Sequence, residues 1–138
     1  MTISIYDVNT FLKNDATLQS IAGKTMNLFP VIGYGTELPP FVVYYYNPSI
    51  PSVEAYWNRQ DMVCYSIYDS DVDRLFKLAE RIIYLLGQGD TVQKSGGIAS
   101  SNHRFKSSVF LGSSVIEPLE KEGWYQMDLN FRIFSTSL

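Results

Sequence analysis

The sequence predicts an α+β fold: a largely antiparallel β-sheet with two main helices packed against it, in the order α-β-β-β-α-β-β. Three observations carry this. The stretch "SDVDRLFKLAERIIYLLGQG", residues 70–89, repeats apolar residues at helical spacing. The stretch "WYQMDLNFRIF", residues 124–134, alternates apolar and polar residues with the period of a half-buried strand. The stretch "FVVYYY", residues 41–46, is dense in β-branched and aromatic residues, which fit a pleated surface.

Taken in order, the chain opens with a helical segment. Val8, Phe11 and Leu12 share one face, and Leu18, Ile21 and Ala22 resume the pattern after a break near Asn14-Asp15, with Gly23 as the stop. "MNLFPVIGYG" reads as an edge strand or extended arm, because Pro30 lacks a ladder donor. "PFVVYYY" is the second strand, in which Tyr44 and Tyr46 serve the core. Pro48 and Pro51 then open an aromatic loop that runs to about Gln60. "DMVCYSIYD" is the third strand, with Val63, Tyr65 and Ile67 on one face and Met62, Cys64, Ser66 and Tyr68 on the other.

The long helix follows. Val72, Leu75, Phe76, Ala79, Ile82, Ile83 and Leu86 make its apolar stripe, Ser70 or Asp71 its cap, and Gly87 its end. A second long loop, residues 89–107, is dominated by Gly, Ser and polar residues. "SSVFLGSSVIE" and "WYQMDLNFRIF" are the closing strands, the latter with Tyr125, Met127, Leu129, Phe131 and Ile133 inward. Residues 1–138 are expected to form a single domain of this kind.

Composition bounds the function. A chain of 138 residues with 46% apolar and 18% charged residues is globular, and can bury about two-thirds of its unfolded surface. A net charge of -3 argues against general nucleic-acid binding, which favours a basic stripe. Cys64 is the only cysteine, so no intrachain disulfide and no CxxC zinc pair is available. The first residues lack a basic, apolar leader pattern and no apolar run approaches spanning length, so folding in a reducing cytoplasm, away from any membrane, is expected.

Catalytic chemistry finds no constellation, and the chain reads as a non-enzyme with no cofactor, no metal and no catalytic residue. His103 is the only histidine; a Cys64–His103 dyad would need a reactive thiol, whereas Cys64 lies in an apolar strand that favours an inert, buried one. Asp69, Asp71, Asp73 and Glu80 match calcium-loop positions, but Arg74 replaces the turn glycine and helical periodicity begins at Val72, so a capped helix start accounts for the acids. "GYG" at 33–35 and "SGGIASS" at 95–101 lack the remaining residues of dinucleotide and phosphate loops.

Charge is distributed unevenly. No acid occurs from Thr91 to Ile116, where Lys94, Arg104 and Lys106 sit in or beside the long loop. Asp61, Asp69, Asp71 and Asp73 cluster around the third strand and the start of the long helix, and Glu117, Glu120 and Glu122 crowd the last turn. Each single charge is best explained by solvation, but the separation suits head-to-tail contact between identical subunits.

The short N-terminal helix with "YDVNTFLKND", then "LPPFVVYYYN", then the strand-to-helix run "DMVCYSIYDSDVDRLFKLAERIIYLLG" and the closing "GWYQMDLNFRIF" together resemble the tail terminators of long-tailed bacteriophages, also called tail completion or tail-to-head joining proteins. The resemblance covers nearly the whole chain and rests on element order. It implies a homo-oligomeric, hexameric ring on the head-proximal end of the tail tube, assembled in the host cytoplasm. Such a ring stops tube polymerisation and docks the head-tail connector or neck proteins; a weak, non-specific contact of the basic loop with DNA in a ring lumen is a separate alternative. On that reading Tyr45, Tyr56 and Trp57 are the subunit-interface candidates, and Lys94, Arg104 and Lys106 the contacts to tube or neck. Alternatives are a head-completion or neck connector protein, and a small carbohydrate- or ligand-binding module that stacks on the Tyr/Trp loop.

Overall fold

A computed structural model describes residues 4–30, 38–47, 58–89, 98, 103–119 and 123–137. Two short helices, α1 (Ser4–Lys13) and α2 (Ala16–Ala22), precede strands β1 (Leu28–Pro30), β2 (Phe41–Asn47) and β3 (Asn58–Asp69). Helix α3 (Val72–Leu86) follows, then β4 (Gln88–Gly89), β5 (His103–Ser113), β6 (Glu117–Leu119) and β7 (Trp124–Ser137). The seven strands form one sheet in the order β1-β2-β3-β7-β5-β4, with β6 paired to β7. Every pairing is antiparallel except β1 with β2. The fold is therefore α+β, as the sequence predicts, with the first helix divided at Asn14-Asp15.

The core lies between the helices and one face of this sheet. From β3 it takes Val63, Tyr65 and Ile67, and from β7 Met127, Leu129, Phe131 and Ile133. These are the alternate residues that the strand period assigns inward. The helices contribute Val8, Leu12, Leu18 and Ala22, and Met26 follows α2 into the same core. Helix α3 differs from expectation. Its buried residues are Leu75, Leu78, Ala79, Ile82, Leu85 and Leu86, while Phe76 is 50% exposed and Val72 and Ile83 are half-buried. At about 100° per residue, the buried stripe is turned by roughly 60° from the one read off the sequence. The reason is that the helix sits flat on the sheet and uses Leu78 and Leu85 on the side that the apolar pattern left open.

Polar interactions cap the helices and tie them to the sheet and to one another. Asp69, fully buried at the end of β3, takes two hydrogen bonds from the Arg74 guanidinium, 2.7 Å from Nε. Asp71 caps α3 through the Asp73 and Arg74 amides. Asp15 caps α2 through the Leu18 amide and grips Arg81 of α3 with both oxygens at 2.9 Å, and Arg81 also lies 4.9 Å from the Tyr84 ring centre. The fully buried Tyr65 donates its hydroxyl proton to Asn9 Oδ1 at 2.8 Å, which ties β3 to α1, and burial pushes its pKa well above 10. The acids that match a calcium loop are thus a cap and an ion pair.

The end of α3 passes very close to β5. A Cβ at Gly87 would stand 2.6 Å from the Ile83 carbonyl oxygen and 2.9 Å from Phe110 Cβ, so only glycine fits. Strand β5 is longer than its composition suggests, because β7 supplies it with a ladder from His103↔Ser137 to Ser113↔Leu129. The second long loop therefore ends before His103, and Arg104 and Lys106 lie on a strand. The first long loop likewise ends earlier than Gln60, since Asn58 already pairs with Thr136. Two bulges in β5, between Phe105 and Ser107 and between Phe110 and Gly112, each insert one residue against β7.

The Asp15–Arg81 pair makes stability pH-dependent. Arg81 holds the Asp15 carboxyl below its ordinary value of 3.8, with burial opposing and the Leu18 amide assisting. A carboxyl lowered by folding stabilises the fold above its unfolded pKa, and that contribution is lost as pH falls through the folded value. Arg81→Leu is expected to cost about 1.5 kcal/mol in urea unfolding near neutral pH. The gap to wild type should close below about pH 4, and a pH-independent gap would contradict the assignment.

Candidate interaction surface

The helices cover one face of the sheet; the register defines what lies on the other. Its rows run across β2, β3, β7 and β5. One row is Asn47, Met62, Arg132 and Val109. The next is Tyr45, Cys64 and Asn130, with the bulge residue Leu111 and Gly112 together facing Asn130. Then come Val43, Ser66 and Asp128, and last Phe41, Tyr68 and Gln126.

These rows have three different characters. At the Phe41 end the face closes on itself. Phe41 is fully buried, stacked on Tyr68 at 5.1 Å and met edge-on by Trp124 at 5.6 Å and Phe29 at 6.2 Å. The middle row is polar and locked. Asp128 Oδ1 accepts from Ser66 Oγ at 2.6 Å and Gln126 Nε2 at 3.0 Å, while Ser114 Oγ accepts from the Asp128 amide at 3.0 Å.

The remaining two rows are open and mixed, with apolar residues on β2, β3 and β5 and the polar Arg132 and Asn130 on β7. Tyr45, Met62, Val109 and Leu111 are each 40–42% exposed, in a part of the sheet that the described helices do not cover. Arg132 lies among them and has no ion pair among the described residues. Arg132 and Asn130 of β7 lie between the Tyr45 and Met62 pair and the Val109 and Leu111 pair, so the open part of the face carries two exposed apolar pairs about a polar strip, a candidate surface for contact with another molecule.

The residues singled out from sequence are distributed as follows. Tyr45 stands in this patch. Tyr44 and Tyr46 point the other way and pack against the core, with the Tyr46 hydroxyl on Asp61 Oδ2 at 2.8 Å. Tyr56, Trp57 and Lys94 lie outside the described residues. Arg104 occupies the β5 position opposite Thr136, and Lys106 is the extra residue of the first bulge. The acidic cluster thins, because Asp61 and Asp69 are fully buried and only Asp71 and Asp73 of the four face solvent. Met62, Val109, Leu111 and Arg132 were not selected from the sequence. Only their register relative to Tyr45 brings them together, and no spacing within one strand encodes that.

Catalytic geometry is lacking at the dyad. Cys64 is half-buried on the open face rather than in the core, and burial together with the Asp128 charge raises its pKa, which keeps the thiol protonated. On β7, Cys64 is opposite Asn130 and His103 opposite Ser137, about 23 Å apart at strand rise. No group of three His, Cys, Asp or Glu among the described residues could hold a metal ion.

No protein-family model matches the chain, and no curated protein matches its sequence. Among solved structures, the fold is similar to that of a chain in the virion of a native gene transfer agent particle. The TM-score is 0.65 at 15% identity, over 94% of this chain and 93% of that one.

If the open rows contact another molecule, Met62→Asp should leave the fold intact, because the side chain is 40% exposed. Thermal unfolding followed by circular dichroism should shift by the equivalent of no more than about 1 kcal/mol. Self-association in sedimentation velocity should nevertheless weaken. Unchanged association would remove these rows from the interface.

Proposed function

We propose that the chain is a structural protein of a phage-like virion, acting as the tail terminator: a ring on the head-proximal end of the tail tube. The observation that supports this most is the likeness to a virion chain along almost the full length of both. The element order that resembles tail terminators, from the N-terminal helix through the strand-to-helix run to the closing strands, points the same way.

The proposed mechanism is steric and interfacial and breaks no covalent bond. One ring face binds the growing tube end in place of the next tube ring. The other lacks the surface that recruits another tube subunit and receives the neck proteins. Hexameric assembly buries the open sheet face with Tyr45, and Tyr56 and Trp57 pack against a neighbouring subunit. Lys94, Arg104 and Lys106 form the basic contact to tube or neck, and any contact with DNA in the lumen is non-specific, consistent with the net charge of -3.

The decisive test mixes the protein with polymerising tube subunits and follows tube length by electron microscopy. Short, uniformly capped tubes are expected, and unchanged growth would sink the capping mechanism. Native mass spectrometry should give one six-subunit species for wild type and smaller species for Trp57→Ala.

A further inference from the structure

A second apolar surface lies on the opposite side of the molecule. Phe76 and Tyr84 of α3 are 50% and 47% exposed, and Glu80, also exposed, stands between them. At about 100° per residue, all three point within about 60° of directly away from the buried stripe, and so away from the sheet. The groove beside this ridge, lined by Ile21, Ile83 and Tyr84 with Lys77, Glu80 and Arg81 at its rim, has a volume of about 500 Å³. The molecule therefore presents apolar side chains on both outer surfaces of its two layers.

That arrangement selects the kind of contact. A two-fold contact between copies buries the same patch on both and leaves the other patch in water. Only a head-to-tail contact, sheet face of one copy against helix face of the next, covers both with one interface.

Charge and size agree. The ridge holds Glu80, with Asp73 and Lys77 beside it, for a net negative charge; Arg81 is engaged by Asp15. The open sheet rows hold Arg132; Asp128 keeps its charge but lies two rows away, about 13 Å along β7, where it accepts from Ser66 and Gln126. Neither Glu80 nor Arg132 has an ion pair among the described residues. Phe76 and Tyr84 are about 12 Å apart along the helix. Tyr45 and Leu111 are three strand spacings apart, about 14 Å.

We propose that the outer ridge of α3, through Phe76, Glu80 and Tyr84, docks on the open sheet face of the next copy, with Glu80 on Arg132. The inference rests on the ring reading only for closure, because the contact itself is heterologous and generates a ring or a filament according to its rotation.

Charge reversal tests it. Glu80→Arg alone and Arg132→Glu alone each place like charges across the contact and should weaken self-association by about tenfold or more. A one-to-one mixture of the two variants restores opposite charges at every contact, so it should assemble again as alternating species, as should the double variant. Equal assembly of wild type and both single variants would overturn the proposal, and so would a mixture that stays apart. Melting curves verify that each variant is folded.

A cysteine pair gives a second readout. With Cys64→Ser in the background, Tyr84→Cys and Val109→Cys in one chain should oxidise to a ladder of dimers, trimers and higher species. Dimers alone, or no cross-link, would refute the head-to-tail contact. Tube capping is scored separately: capping by variants that assemble like wild type leaves the terminator reading standing and removes this interface. A wild-type ladder without capping does the reverse.

Discussion

The constraint on which the rest depends is the β3–β7 ladder. It pairs all 12 residues of β3 with β7, from Asn58↔Thr136 to Asp69↔Tyr125, without a register shift. A slip of one residue with β3 held in place would turn Leu129 and Phe131 out to solvent and Arg132 and Asp128 in against α3. Register and core therefore specify each other. The same ladder places Asp69 where α3 begins, so that the Arg74 pair and the Asp71 cap start the helix directly over the sheet. The other strands depend on this pair: β2 extends it on one side, and β5 bends around the other.

One-sided cover is the second organising feature. The three described helices lie on one face, and among the described residues only part of the other face is covered by side chains. The Phe41 cluster and the Asp128 row close one half; the Tyr45, Met62 and Val109 rows leave exposed apolar side chains on either side of Arg132 and Asn130. In a molecule that worked alone, that half would cost solubility without return. In the proposed ring it becomes interior. A chain of similar architecture occurs in the virion of a gene transfer agent particle.

Much of the fold was legible in single segments. The alternation of "WYQMDLNFRIF" and of "DMVCYSIYD" correctly divided inward from outward residues, and the acids before α3 were correctly read as a helix start. Reading failed where partners came from elsewhere in the chain. The strand character of His103 to Lys106 comes from β7, not from its own Ser- and Asn-rich neighbourhood. The turn of α3 depends on the breadth of the sheet beneath it, which let Leu78 and Leu85 displace Phe76. The candidate surface shows the same division. Tyr45 was named from the sequence as an interface candidate, but its companions Met62, Arg132 and Val109 come from three other strands. Asp61 and Asp69 misled in the opposite direction, since surface charge and buried charge look alike in sequence until Tyr46 and Arg74 are seen beside them.

The locked row of Asp128 has a geometric consequence for any molecule laid on the open face. An occupant displaced by one row toward Phe41 would set an apolar group on the Asp128 carboxylate, of which only Oδ1 is held by Ser66 and Gln126, and would strip water from the charge without replacement. The row thus acts as a fence: it stops a visitor from gliding along the strands and leaves a single favourable seat. When that seat is occupied by identical copies, the fence fixes the translational offset of each copy relative to the last. The stagger of the resulting assembly along the strands would then be set by Asp128, a residue that need not touch the neighbour at all.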